Sequence, residues 1–395
     1  MSNLPESFVW IDRLCRIDST SRHDNTPVID ALAEQFRANG IEPHVFAKPD
    51  GSGKHGLVAT IPAADGSTAG GVVISGHTDV VPVDGQAWTS DPFVPEVRGE
   101  KVYGRGVADM KGYIGIAMHL LPEMVQAQLA EPIHFAFSYD EEVGCRGGDD
   151  IVEQINQRGL APRAALIGEP SSMRVIRAHK SVNLFTITLT GVNAHSSLTA
   201  SGVNAVEYGA EIVRYWRGLT DGWKAEGPYD EAYPLKWSTG GVNQFNGGTA
   251  VNIVPGQATI VLEFRSIAAV DDEQVLADLR AFCDDVRARM RSENPAADVQ
   301  LTVDAMVPGL DTPADEYVVE LAQSIGGIPC DDKVTYGTEA GQFARGGIPA
   351  VVCGPGDIAQ AHTADEWIEL AQIVECERYL RALVFHLSPD PRNGG

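Results

Sequence analysis

The chain has 395 residues, 44% apolar and 21% charged, the make-up of a folded protein long enough for two domains that each bury their own core. Thirty basic against fifty-four acidic residues leave a formal charge of -24, which argues against a nucleic-acid or anionic-membrane surface, because both need clustered Lys and Arg. No apolar run approaches the ~20 residues of a membrane span. MSNLPESFVWIDRL lacks the basic and apolar regions of a signal peptide, and six cysteines (Cys15, Cys145, Cys283, Cys330, Cys353, Cys376) show no CxxC spacing, so no disulfide framework or thiolate metal site is expected. A reducing cytoplasm is the expected compartment.

In chain order, SFVWIDRLCRID and VIDALAEQFRANG have helical periodicity, the second stopping at Asn39-Gly40 as a C-cap would. GLVATIP, GGVVISGH, IHFAFSY and AALIGEP are short apolar runs, as expected for strands of a sheet covered on both faces. The helical stretches YIGIAMHLLPEMVQ and GDDIVEQINQRG between them indicate α/β with crossover connections. From about Val182 the texture changes: SVNLFTITLTG and QATIVLEFRS alternate apolar and polar positions, and with GVNAVEYGAEIVRYWRGL and DEQVLADLRAFCDDVRARMRSE they form a β-α-β-β-α-β-like insert. After PGLDTP the α/β texture returns with AVVCGPG and a closing helix, IELAQIVECERYLRALVFHL. The expected organisation is a mixed-sheet catalytic domain with helices on both faces (residues 1–180 and 309–395), interrupted by a smaller α+β, ferredoxin-like domain at 181–308.

Charged residues end the apolar strands. GGVVISGHTD delivers His77 and Asp79, the turn YGRGVADMKG carries Asp109, FSYDEEVG carries Asp140, Glu141 and Glu142, AALIGEP carries Glu169, and the loop GPGDIAQAH brings His362. Active sites of open α/β sheets lie just beyond the carboxyl ends of strands. Taken singly, a His at a strand end is ordinarily a hydrogen-bonded residue, Asp109 before Met-Lys-Gly reads equally well as a helix cap, and Glu169 before Pro170 as an exposed turn. Their convergence carries the argument, since two His and several carboxylates make a hard nitrogen and oxygen donor set suited to Zn, Mn or Co. His77 and Asp79, two apart in an extended segment, share a face, so Asp79 is placed to accept from the imidazole and fix its tautomer. Two dications would balance three ligand carboxylates and a hydroxide, which explains how the carboxylates tolerate burial. Adjacent residues of an extended segment face opposite ways, so Glu141 and Glu142 are expected not to crowd one point.

SGHTDVVPVDGQAWTSDPF, YGRGVADMKG, DEEVG, IGEPSSMRVIRAHK, NAHSS, YGTEAGQF and CGPGDIAQAHTADEW, in that order, resemble the M20 metallopeptidases and deacylases, and among them the acetylornithine deacetylases, over residues 10–385. The resemblance implies two divalent metal ions, zinc in the first place with cobalt or manganese as alternatives. Asp109 would bridge them, His77 and Glu169 would hold one, and Glu142 and His362 the other. It makes Glu141 the general base and Asp79 the residue orienting His77. It makes His195 an oxyanion-stabilising histidine reaching the partner subunit's site, and Arg265 the group binding the substrate carboxylate, with Asn252 beside it. Glu339 would meet the substrate's side-chain ammonium. The implied activity is hydrolysis of an N-acyl L-amino acid, N2-acetyl-L-ornithine first, as a cytoplasmic homodimer pairing through the small lid domain and serving arginine biosynthesis, with a desuccinylase-like deacylase or a metal-poor binding homologue as alternatives. HKS at 179–181 replaces the family's usual HKG, and NAH replaces the more frequent GH before the serines, departures that bear on substrate preference rather than on catalysis. No GxGxxG follows a first strand and GxSxG is absent, which disfavours a nucleotide enzyme or a serine hydrolase.

Overall fold

A computed structural model of the chain describes residues 4–388. They fall into two compact units: residues up to Ala178, with Leu310–Asp332 and the residues from Thr338 on, make the first, and His179–Gly309 with Lys333–Gly337 make the second.

The first unit is α/β, built on a six-stranded mixed sheet. Its strands run in the order His44–Ala47, His55–Ile61, Ile133–Ser138, Val72–His77, Ala164–Pro170, Ala350–Gly354. The last four are parallel, and the first two add as an antiparallel hairpin. Val72–His77, Ile133–Ser138 and Ala164–Pro170 are buried at every position, which is why they read as unbroken apolar runs rather than alternating ones. One face contributes Leu57, Ile74, Phe135, Phe137 and Leu166 to a core shared with the helices Phe8–Cys15, Thr26–Ala38, Lys111–Gln126 and Leu370–Leu387. On the other face pack Gly148–Gln157 and Ala340–Arg345. The helix Lys111–Gln126 lies so close to the sheet that a Cβ on Gly168 would sit 2.0 Å from the Tyr113 ring, so only glycine fits there. The parallel registers of Ile133–Ser138, Val72–His77 and Ala164–Pro170 bring together the carboxyl ends of three neighbouring strands, from which the acidic turn, His77 and Glu169 emerge.

Four elements differ from the expectation. His44–Ala47 is a strand, Tyr317–Ser324 and Ala340–Arg345 are helices of eight and six residues, and the start of IELAQIVECERYL is a strand, Trp367–Glu369, paired with Lys101–Tyr103 before the helix begins at Leu370.

The second unit is α+β with the expected β-α-β-β-α-β order. Its antiparallel sheet runs Thr239–Gly247, Gln257–Arg265, Val182–Thr190, Asp298–Val307, the spatial arrangement of a ferredoxin-like fold. Val182–Thr190 and Gln257–Arg265 alternate buried and less buried positions along most of their length. Phe185, Ile187, Ile260, Leu262 and Phe264 pack against Trp216, Trp223, Leu279 and Met290 of the helices Ala205–Glu226 and Asp272–Glu293. Both helices begin at side-chain caps, Asn204 and Asp271, each accepting from two backbone N–H groups. Among the described residues no helix is long and apolar enough to cross a membrane.

Candidate metal centre

His77 closes its strand and is 1% exposed. Its Nε2 lies 3.0 Å from Asp109 Oδ1 and 3.6 Å from Glu169 Oε1, while Nδ1 lies 2.9 Å from the backbone carbonyl of Asp79 and 3.6 Å from its Oδ1. The nearer acceptor for the imidazole is thus the main chain of Asp79 rather than its carboxylate. That carboxylate accepts instead from Ser21 Oγ at 2.7 Å and from the backbone N–H groups of Glu141 at 3.1 Å and Glu142 at 3.3 Å. Asp79 therefore holds the acidic turn as well as the histidine.

The run Asp140-Glu141-Glu142 is a turn, not an extended segment. Asp140 and Cys145 take left-handed φ values of 54° and 48°, and the Glu141 carbonyl accepts from Gly144 N at 3.0 Å and Cys145 N at 2.8 Å. Local hydrogen bonding overrides strand alternation, and both glutamates turn inward. One donor atom each of His77, Glu141 and Glu169 lies within 4.8 Å of the others, and the same holds for His77, Asp109 and Glu142. Asp140 points elsewhere: Lys48 Nζ lies 3.1 Å from its Oδ2 and Lys54 Nζ 3.0 Å from its Oδ1. Those two lysines offset one of the three charges, a contact without periodic signature in the sequence.

His362 approaches from the loop after the last parallel strand, with a left-handed φ of 62° and a side chain 51% exposed. Its Nε2 is 2.9 Å from Glu142 Oε2 and 3.2 Å from Asp109 Oδ2. Asp109 thus turns one oxygen to each histidine. Its rival reading as a helix cap does not hold, because the helix Lys111–Gln126 begins without a side-chain cap bond.

Electrostatics follow from this crowding. Burial alone would lower the His77 pKa, but Glu169, Asp109 and Asp79 outweigh it and hold it well above the usual value. Hydrogen bonds to Asp109 and Glu142 raise His362 to about 11. Burial works to raise Asp109, yet its bonds to His362 and His77 prevail and its pKa is lowered. Burial, with neighbouring carboxylates, pushes Glu141 up to about 8, Glu142 up to about 7, and Glu169 well above the carboxylate range. Among the described residues no Lys or Arg forms an ion pair with any of these four, and Glu142 Oε1 is buried without a hydrogen-bond partner. Two imidazoles and these carboxylates, hard donors with an orphaned buried oxygen among them, fit divalent cations.

The remaining candidates divide between the units. Glu339, just before the helix Ala340–Arg345, is 1% exposed, and burial raises its pKa to about 7 against the opposing influence of the Ser138 hydroxyl. His195, Asn252 and Arg265 belong to the second unit. His195 is exposed, with Nδ1 2.8 Å from Ser197 Oγ, and the Asn252 carbonyl accepts from Ser196 N at 3.0 Å, so those two lie side by side. Arg265 ends its strand with Nε 3.7 Å from Glu263 Oε1. Glu366 and Arg105 went unnoticed in the sequence: both are buried and paired at 2.7 Å, and Glu366 Oε1 accepts from the Asp109 backbone N–H at 3.1 Å.

Residues 73–386 match the family described as peptidase family M20/M25/M40. The acetylornithine deacetylase of Salmonella arizonae is 32% identical over 393 residues, covering 98% of this chain and 99% of its own. That of Myxococcus xanthus is 33% identical over 387 residues, covering 97% and 98%. Among solved structures, a tripeptidase from Staphylococcus aureus superposes with a TM-score of 0.72 at 20% identity over 97% of this chain and 99% of that one. A dinuclear metal binding peptidase of Bacillus subtilis superposes with a TM-score of 0.64 at 15% identity over 96% and 97%. Both structures share this chain's fold.

Proposed function

The chain belongs to peptidase family M20/M25/M40 and is a metal-dependent amidohydrolase; we propose that it cleaves N-acyl L-amino acids, with N2-acetyl-L-ornithine as the substrate and L-ornithine and acetate as the products. The observation that carries the reading is Asp109, with one oxygen toward His77 and the other toward His362. His77, Glu169, Asp109, Glu142 and His362 would hold two divalent ions, zinc first, with cobalt or manganese as alternatives. When bound, such ions lower the pKa of a water and polarise an amide carbonyl, the two services an unactivated amide needs most.

Glu141, at the inner side of the acidic turn, takes the proton of the attacking water and returns it to the departing amine nitrogen. Asp79 keeps that geometry by accepting from the Glu141 and Glu142 backbone amides while its carbonyl holds His77 Nδ1. On the second unit, His195 would reach the partner subunit's site and stabilise the developing oxyanion there, and Arg265, with Asn252, would bind the substrate carboxylate as a guanidinium fork does. Residues 181–308 would then act as a lid and as the surface on which two chains pair, in a cytoplasmic enzyme of arginine biosynthesis. The full-length similarity to two acetylornithine deacetylases supports this substrate over other acyl groups.

The test is a panel of N-acetyl and N-succinyl amino acids assayed after chelation and after reloading with defined zinc or cobalt. The expected result is activity that vanishes on chelation, returns with metal and is highest in kcat/KM on N2-acetyl-L-ornithine. A preference for an N-succinyl diamino acid, or no hydrolysis with two equivalents bound, overturns it.

A further inference from the structure

His362 is the one ligand candidate whose side chain is half exposed, and it sits on a loop in a left-handed backbone conformation unusual for a residue with a side chain. Its own carbonyl, however, is held. Gln86 Nε2 donates to His362 O at 2.9 Å. The orientation of that amide is fixed by its other end, because Gln86 Oε1 accepts from Arg105 Nη2 at 2.7 Å and from Trp88 Nε1 at 2.9 Å, so the NH2 group must face the carbonyl. Arg105, 1% exposed, gives its Nη1 to Glu366 Oε2 at 2.7 Å. Glu366 Oε1 in turn accepts from Ala108 N at 2.9 Å and Asp109 N at 3.1 Å. An unbroken chain of hydrogen bonds therefore runs from the backbone of Asp109 to the backbone of His362, and it touches neither of their side chains.

We infer that Gln86 is a positioning residue, tying the His362 loop through Arg105 and Glu366 to the loop of Asp109, so that the second metal-binding half of the site keeps its spacing. This rests on His362 being a metal ligand, as proposed above. The geometry gives the loop a further tie at Asp365, whose Oδ1 accepts from Thr89 N and Oγ1 at 3.0 Å each, but that tie lies three residues beyond the imidazole. Among the described residues Gln86 alone hydrogen-bonds to the carbonyl of the residue that carries the ring. Outer partners of metal ligands characteristically change metal affinity by about 10- to 100-fold when removed.

The experiment is chelator competition on the full-length protein, reading zinc affinity for each equivalent independently of activity, together with the melting temperature of the metal-free protein. Gln86→Ala is expected to weaken one equivalent about 10- to 100-fold and leave the other at wild-type affinity. Its metal-free melting temperature should move by no more than about 2–4 °C. Gln86→Glu keeps an acceptor for Arg105 and Trp88 but has no proton for the His362 carbonyl, so the same selective loss is expected from a variant that retains the buried ion pair. Wild-type affinity for both equivalents in the Gln86→Glu protein, or equal weakening of both, overturns the inference, and this holds even if Gln86→Ala does not fold. His362→Ala separates the two readings. If it loses one equivalent while the Gln86 variants keep both, only the positioning role falls; if it keeps both at wild-type affinity, the ligand reading falls and the inference with it.

Discussion

Two imidazoles are buried to the same depth, His77 in the first unit and His179 in the second, each 1% exposed, and their surroundings drive them in opposite directions. Burial pushes His179 down to about 4, against the small help of its Nδ1 bond to the Lys180 carbonyl at 2.9 Å. At His77 burial pulls the same way but loses to Glu169, Asp109 and Asp79. Burial by itself therefore does not mark a reactive histidine. Carboxylates converging on it from separate strand ends do.

The largest effect should come from thinning that company without touching the imidazole. Glu141→Ala is expected to lower kcat by about 1,000-fold or more, roughly 4 kcal/mol of barrier, while two equivalents of metal stay bound. Kinetics alongside metal analysis decide the matter. A lost equivalent would make Glu141 a ligand, as its shared reach with His77 and Glu169 permits. Next, His77→Ala should destabilise the metal-free protein in urea by about 3–5 kcal/mol, because it strips buried carboxylates of their counter-charge. It should also abolish binding of one metal, whereas His179→Gln should retain both equivalents. Equal metal loss in the two variants would erase the contrast between the sites.

Their pH responses sharpen it further. His179 has a folded pKa of about 4 against 6.5, so the unfolded chain binds more protons between those values. Stability from this group is present above about pH 6.5 and is lost as pH falls toward 4, about 3 kcal/mol in all. Glu142 and Glu141 are raised to about 7 and about 8 from 4.5, so the folded metal-free chain binds more protons in that range. Their contribution is fully present below pH 4.5 and is lost as pH rises through 7 to 8. Calorimetry from pH 4 to 8 should show zinc removing the alkaline loss and leaving the acid one. An alkaline loss that survives zinc would mean the carboxylates do not face the metal.

Much of this architecture was legible because short apolar runs and long stretches of helical periodicity each leave a local signal. AALIGEP and DEQVLADLRAFCDDVRARMRSE coincide with the strand Ala164–Pro170 and the helix Asp272–Glu293. Of the residues now gathered at the centre, His77, Glu141, Glu142 and Glu169 were legible as polar ends of apolar runs, while Asp109 and His362 lie in glycine-containing turns and were legible only through their convergence with the rest. The acidic turn was misread as extended because non-glycine residues at Asp140 and Cys145 adopt left-handed φ, which composition does not announce. Helices of eight and six residues, Tyr317–Ser324 and Ala340–Arg345, are too short to display a period. The partners of Arg105 and Gln86 lie 261 and 276 residues away in sequence, and contacts at such separations leave no local pattern.

Glu339 offers the finest distinction. Like His77 it is a buried titratable group at the first unit's site, but its Oε1 is without a hydrogen-bond partner, and burial holds its pKa at about 7. An ammonium group of the substrate would satisfy that oxygen and restore the charge. Glu339→Gln preserves the shape and removes the charge, so it should raise KM for N2-acetyl-L-ornithine about tenfold, the scale of one charged hydrogen bond. The same variant should leave KM for N-acetyl-L-methionine, which has no ammonium to recognise, within about twofold, since a factor of two is worth only ~0.4 kcal/mol. Equal changes on the two substrates would take Glu339 out of substrate recognition and leave it as a buried acid of the first unit.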